Sequence, residues 1–112
     1  MAFHREKKIA LIRDLAAKFF GERSNRSSLI TVTSVKLAID SSSVALGISV
    51  LPETHEVAAL DFARRQLGEL RQYIGAHAKF GNVPYLTVDI DLGEKNRQRV
   101  EELLAHEEPS KE

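Results

Sequence analysis

The sequence contains no cysteine and no tryptophan, and only three prolines and one methionine among its 112 residues. Without cysteine there can be no disulfide framework and no thiolate metal site. Charge of one sign is missing too: 16 lysines and arginines face 16 acidic residues, and a net charge of zero argues on its own against a nucleic-acid binder. The longest apolar run, "VALGISVL", falls far short of the roughly 20 residues that span a bilayer. The charged opening "MAFHREKK" has no apolar segment of a signal peptide behind it. A soluble cytoplasmic protein without a membrane partner is therefore expected. His4, His55, His77 and His106 are too scattered for a local metal motif, so no metal and no cofactor is expected. Asp89 and Asp91 in "DID" suit one strand residue and one helix N-cap better than a divalent cation site. No glycine-rich phosphate loop and no serine elbow is present, so no residue is assigned a catalytic role and the chain is not expected to be an enzyme.

What is present is charge in blocks. Residues 1–36 carry eight basic against three acidic side chains, and 37–63 carry none against four. Residues 64–81 carry four against one, and 82–112 carry four against eight. Such blocks either give a neutral protein a local basic surface or are ordinary solvated faces. At this length one domain with one modest core is expected, over 1–105, followed by an acidic, flexible tail over 106–112.

Periodicity supplies the elements. From Phe3 to Phe20, the positions Ile9, Ile12, Ala16 and Phe19 repeat at helical spacing, with Gly21 as C-cap and Phe3 as a packing residue. "GERSNRSS" is a loop. "LITVTSVKLAID" is a strand whose alternation changes phase between Val32 and Val35, which predicts a bulge near Thr33–Ser34. "DSSS" is a turn into a second strand buried through Val44, Leu46, Ile48 and Val50, and the two strands pair as an antiparallel hairpin. Pro52 closes it. A helix follows over 53–79, burying Ala59, Ala63, Leu67, Leu70 and Ile74 with Phe62 and Tyr73 alongside, and ending at Gly81. "VPYLTVDI" is a third strand with Leu86, Val88 and Ile90 toward the core. Asp91 and Glu94 have capping-box spacing for a short last helix that contains Val100, Leu103 and Leu104. The order makes an α+β fold, with helices on one face of a three-stranded sheet and the other face partly exposed.

Within the central helix, Arg64, Gly68, Arg71, Gly75 and Lys79 are spaced four, three, four and four, and so share one stripe beside the buried one. Glycine in a helix costs about 1 kcal/mol relative to alanine. Two readings justify that cost. The glycines could open the backbone at a helix break, with arginines to neutralise phosphates, or they could admit a closely packed helix while the arginines are solvated. Arg65 and Glu69 are spaced for a surface ion pair. The opening set Arg5, Lys7, Lys8 and Arg13 is either a second basic contact or the solvated face of the first helix. With few aromatics, any RNA recognition is expected to use shape and phosphate contacts rather than stacking.

These stretches together resemble the ribosome-binding factor A family, whose domain is a type II KH fold. "LITVTSVKLAID" is similar to that family's first strand and keeps its aspartate as Asp40. "VPYLTVDID" is similar to its Pro-x-Leu strand through Pro84, Leu86, Val88 and Asp91. "HREKKIALIRDLAAKFF" and "RVEELL" fit its opening and closing helices. "QLG", Gln66 to Gly68, stands where the family has Ala-x-Gly in a helix-kink-helix that replaces the KH GXXG loop. Coverage runs from about Phe3 to Leu104. Gln66 in place of alanine, Gly47 where an aromatic is common, and an acidic end without a long basic extension depart from the pattern. The resemblance implies a single KH type II-like domain, α-β-β-α-kink-α-β with a short C-terminal helix. It implies a monomeric factor that binds the small (30S) ribosomal subunit, assists late maturation and processing of 16S rRNA, and matters especially in the cold. RNA contact would then fall on Arg64, Arg65, Gln66, Gly68, Arg71, Gly75 and Lys79, with Arg5, Lys7, Lys8 and Arg13 second. A protein-interaction module that packs through the glycine line, and a KH-type RNA binder acting off the ribosome, are the alternatives.

Overall fold

The computed structural model describes residues 2–23, 27–79 and 81–107, with side chains described from His4 to Ala105 within those spans. The packing role expected of Phe3 and the side chains of the expected tail over 106–112 lie outside the described residues. The elements are α1 (Ala2–Arg23), β1 (Leu29–Leu37), β2 (Ser43–Leu51), a 3-10 turn (Glu53–His55), α2 (Glu56–Arg65), α3 (Leu67–His77), β3 (Tyr85–Ile90) and α4 (Leu92–Glu107). The sheet order is β1-β2-β3, with β1 antiparallel to β2 and β3 parallel to it. Among the described residues, no helix is long and apolar enough to cross a membrane.

The change of phase in β1 is resolved by the bulge that the pattern predicts. Pairing runs from Leu29 opposite Leu51 to Val32 opposite Ile48, skips Thr33, and resumes with Ser34 opposite Gly47. A single extra residue thereby turns Val35 and Leu37 to the same face as Ile30, and all three are buried. β2, in the centre of the sheet, buries Val44, Leu46, Ile48 and Val50. Against them pack Ile12, Ala16, Phe19 and Phe20 of α1 and Ala59, Ala63, Leu70 and Ile74 of α2 and α3. Helices on one side leave Thr31, Ala45, Tyr85 and Thr87 exposed on the other.

The bulge also explains Gly47. A Cβ there would sit 2.3 Å from Ser34 Oγ and 3.2 Å from Asp91 Cβ, so an aromatic at this position has no room. The space is taken by a polar knot: Thr33 Oγ1 lies 2.6 Å from Asp91 Oδ2 and 3.2 Å from the Gly47 carbonyl. The other oxygen, Asp91 Oδ1, accepts the Glu94 N–H at 3.0 Å and caps α4. The reciprocal half of the capping box is not made, because the Asp91 N–H donates to the Ile48 carbonyl and the Glu94 carboxylate turns to Arg97 and Gln98. The Thr33 hydroxyl first, and the Glu94 amide second, hold the Asp91 carboxyl below its ordinary value.

Several boundaries differ from expectation. Gly21 is not a C-cap: α1 continues to Arg23, whose guanidinium covers the Phe19 ring at 4.0 Å and steadies the last turn. The central helix begins as a 3-10 turn and ends at His77, because Ala78 becomes extended and is buried as the chain turns toward the sheet. Gly81 is therefore no helix cap, and its positive φ of 86° serves a bend beyond the helix. α4 has 16 residues rather than a short helix, and Val100, Leu103 and Leu104 on it are each more than half exposed.

The knot can be tested at its glycine and at its carboxylate. Gly47→Ala should lower unfolding stability by about 1–3 kcal/mol through overpacking, measured by urea denaturation. Asp91 is ionised in both folded and unfolded chains near neutral pH, so its contribution is complete there. It fades as the pH falls below the ordinary carboxylate value of about 4 and through the lower folded value. Asp91→Ala should cost about 1 kcal/mol at neutral pH and should lose less stability than the wild type on acidification to about pH 3.

Candidate nucleic-acid interface

The central helix is broken at one residue, Gln66, inside the Gln66–Gly68 stretch where the resemblance implies a kink. Its N–H bonds back to the Phe62 and Ala63 carbonyls, both at 3.1 Å, and its carbonyl accepts the Leu70 N–H at 2.8 Å. Between these bonds the ladder restarts. As at any helix start, the amides of the first turn of α3, Leu67 to Glu69, have no acceptor in their own helix. The Gln66 side chain makes no capping bond to them. The glycine expected to carry the kink, Gly68, is the second residue of α3 and is exposed; a Cβ on it would meet nothing within 4 Å. The break falls two residues before Gly68, and the glycine leaves the new helix start uncovered. Gly75 has a different reason, since a Cβ there would come 3.3 Å from Val83 Cγ2. Close packing within the chain accounts for the second glycine and not for the first.

The arginines of the stripe are not simply solvated. Arg64 reaches β3, where Nη2 pairs with Asp89 Oδ1 at 2.5 Å and Nε bonds the Val88 carbonyl at 3.3 Å. Arg71 donates from Nη2 to the Val83 carbonyl at 2.6 Å and from Nε to the Pro84 carbonyl at 3.2 Å, and lies 5.1 Å from the centre of the Tyr85 ring. The stripe thus borders the outer edge of β3 and covers unpaired carbonyls there, which protects an edge strand from wrong pairing. Arg64 remains half exposed, so each guanidinium is both anchored and open to an anion. Arg65 is exposed and has no ion pair among the described residues. The expected Arg65–Glu69 pair is replaced by Arg23 and Glu69 at 3.9 Å, because α1 packs beside α3 and brings Arg23 across.

The other basic residues collect elsewhere. Lys7 and Lys8 meet Lys79 around a shallow hollow of about 290 Å³, with His4 and Leu11 completing its wall. Lys79 stands two residues past the end of α3, some 15 Å from Gly68 at roughly 1.5 Å per residue. Arg5 is turned inward, donating to the Leu37 carbonyl, and Arg13 is exposed on α1. The predicted set therefore divides into a helix junction (Arg65, Gln66, Gly68), a β3 edge held by Arg64 and Arg71, and a lysine hollow.

"DID" takes the roles its spacing suggests: Asp91 caps α4, and Asp89 pairs with Arg64. Among the described residues no group of three or more possible metal ligands occurs. One residue went unremarked in the sequence. Tyr85 occupies the outward phase of β3 directly after Pro84, a position that alternation alone could have flagged.

No protein-family model matches the chain. A curated relative, ribosome-binding factor A of Bdellovibrio bacteriovorus, is 32% identical over 85 residues, which cover 75% of this chain and 63% of that protein. The chain thus matches somewhat less than two thirds of that relative's length. The crystal structure of ribosome-binding factor A from Thermus thermophilus superposes with a TM-score of 0.65 at 21% identity, covering 72% of this chain and 89% of that one. A solution NMR structure of a Thermotoga maritima protein gives 0.59 at 16% identity, covering 80% and 85%. The structural likenesses establish the α+β fold with its three-stranded mixed sheet. The sequence match, carried on a fold of that kind, makes this chain similar to ribosome-binding factor A and supports its place in that family.

Proposed function

We propose that this chain binds the small ribosomal subunit and assists late maturation of its 16S rRNA, acting in the cytoplasm without catalysis of its own. The observation that carries the reading is the junction between α2 and α3. There a helix restarts at Leu67, whose first-turn amides lie outside the α3 ladder, with an uncovered Gly68 in that turn and Arg64 and Arg65 just before it. A helix start with cations beside it favours phosphate. The lysine hollow would add a second contact along the same RNA. A factor of this kind acts by binding one RNA conformation better than its alternatives, and so shifts the population toward it.

The test has to respect the double use of the arginines. Reversing Arg64 or Arg71 removes charge-assisted bonds to β3 together with any RNA contact. At this exposure such a loss is on the order of 1–2 kcal/mol, so weakened binding would be ambiguous. Arg65 and Lys79 carry no such load among the described bonds. Purified protein sedimented with small subunits, large subunits and assembled ribosomes at two salt concentrations should pellet with free small subunits, and less so in high salt, since phosphate contacts release counterions. Arg65→Glu combined with Lys79→Glu should weaken that binding about tenfold or more with an unchanged melting curve. A folded wild-type protein that stays in the supernatant at low salt would overturn the proposal.

Gly68→Ala separates fold from binding in the opposite sense. With no neighbour to meet, the methyl group should raise stability by up to about 1 kcal/mol. It should nevertheless reduce small-subunit binding, because it covers the helix start.

A further inference from the structure

Phosphate contacts leave one feature of the β3 edge unused. Of the aromatic side chains among the described residues, Phe19 and Phe20 are fully buried, Phe62 and Tyr73 are partly buried, and Tyr85 is 72% exposed. A lone exposed aromatic is common on protein surfaces, but two things set this one apart. The first is its backing. The Arg71 guanidinium lies 5.1 Å from the ring centre and is fixed there by its bonds to the Val83 and Pro84 carbonyls, so the cation does not depend on the ring for its position. Tyrosine itself has few torsions to order, and with Arg71 against one face the other remains open to a planar group.

The second is the backbone beside it. The Tyr85 N–H donates to the Ser42 carbonyl and the Asp91 N–H to the Ile48 carbonyl. Odd-numbered residues of β3 therefore turn their backbone groups to β2, and even-numbered ones turn theirs outward. Outward carbonyls at Pro84 and Val88 are taken by Arg71 and Arg64. Leu86 lies midway between these points, which are about 13 Å apart along the strand. Its outward N–H and C=O have no hydrogen-bond partner among the described residues. A neighbouring donor and acceptor of this kind match the hydrogen-bonding edge of an unpaired base. Arg71, the residue that backs the ring, is three residues and so about one helical turn from Gly68 in the first turn of α3.

We infer that Tyr85 is a stacking platform for one unpaired base of the bound RNA, with the Leu86 backbone groups on that base's edge. The inference rests on the RNA-binding reading above and narrows it to RNA that presents a single-stranded nucleotide at the β3 edge. A base paired in a duplex shows neither its face nor its pairing edge and is not accommodated.

Two readouts test it. The first is sedimentation with small subunits for the wild type, Tyr85→Phe and Tyr85→Ala. Stacking predicts that the phenylalanine variant keeps wild-type affinity and the alanine variant loses roughly five- to hundredfold, the range for one base on one ring. Equal melting curves would exclude a folding defect. The second uses the absence of tryptophan. In a Tyr73→Phe background Tyr85 is the one remaining tyrosine, and its emission should be quenched by a short single-stranded oligoadenylate and not by the matching adenylate–uridylate duplex. Undiminished binding by Tyr85→Ala, or emission indifferent to the single strand while the wild type still pellets with small subunits, would overturn the stacking role and leave RNA binding standing. A wild type that binds neither subunits nor oligoadenylate would overturn both.

Discussion

One extra residue in β1 decides how the rest of the chain can pack. Strand side chains alternate strictly, so without the skipped Thr33 either Ile30 or the pair Val35 and Leu37 would face solvent. The two-against-one pairing at Val32 to Ser34 puts them on one face, and only then does β2, buried along one face, have a complete apolar neighbour for α1. The bulge is not free, because its hydroxyl groups need partners and its backbone needs room. Asp91 supplies the partner and Gly47 the room. The same carboxylate then starts α4. Register of the hairpin, the end of β3 and the start of the last helix thus meet at three residues far apart in sequence, Thr33, Gly47 and Asp91.

The second constraint is the open edge of β3. A parallel strand at the edge of a sheet presents bare carbonyls on one side, and proteins cover such edges with charge or with neighbouring elements. Here the crossover from β2 to β3 passes through α2 and α3, and these place Arg64 and Arg71 on carbonyls four residues apart along the strand they cover. The spacing of the arginines on the helix is therefore set by the strand as much as by any ligand. That explains why the stripe looked like an exposed binding shoulder in the sequence and turns out to be a seam. Helical periodicity shows which residues share a face, but not what that face meets.

What was legible follows from the same distinction. The bulge, the buried phases of all three strands, the stripe through Ala59, Ala63, Leu70 and Ile74, and the Asp91 cap depend on local alternation and spacing, and these a sequence displays. The residue within the Gln66–Gly68 kink at which the ladder breaks does not. Gly68 was the local signal because glycine weakens helices, yet the ladder is interrupted at Gln66, a good helix former, so tertiary packing of α2 and α3 on the sheet overrides propensity there. Glu69 likewise forms its ion pair with Arg23 of another helix rather than with Arg65 one turn away. The lysine hollow joins residues 7, 8 and 79, and Tyr85 acquires its backing from Arg71. Both are products of the fold.

The break at Gln66 also changes what the junction can do. A glycine hinge would be loose, and an anion site built on it would bear the entropy of ordering the hinge at each binding event. A break fixed by packing, with Ala63 and Leu70 buried on either side of it, presents the amides of α3 in one orientation before any ligand arrives. Under the proposed RNA contact, Gly68 would contribute clearance: it is the position at which a side chain would stand between those amides and a phosphate. On this view the family's usual alanine and this chain's Gln66 can occupy the same place, because the residue at the break needs only to be compatible with near-helical backbone. The residue two further on is the one whose side chain has to be absent.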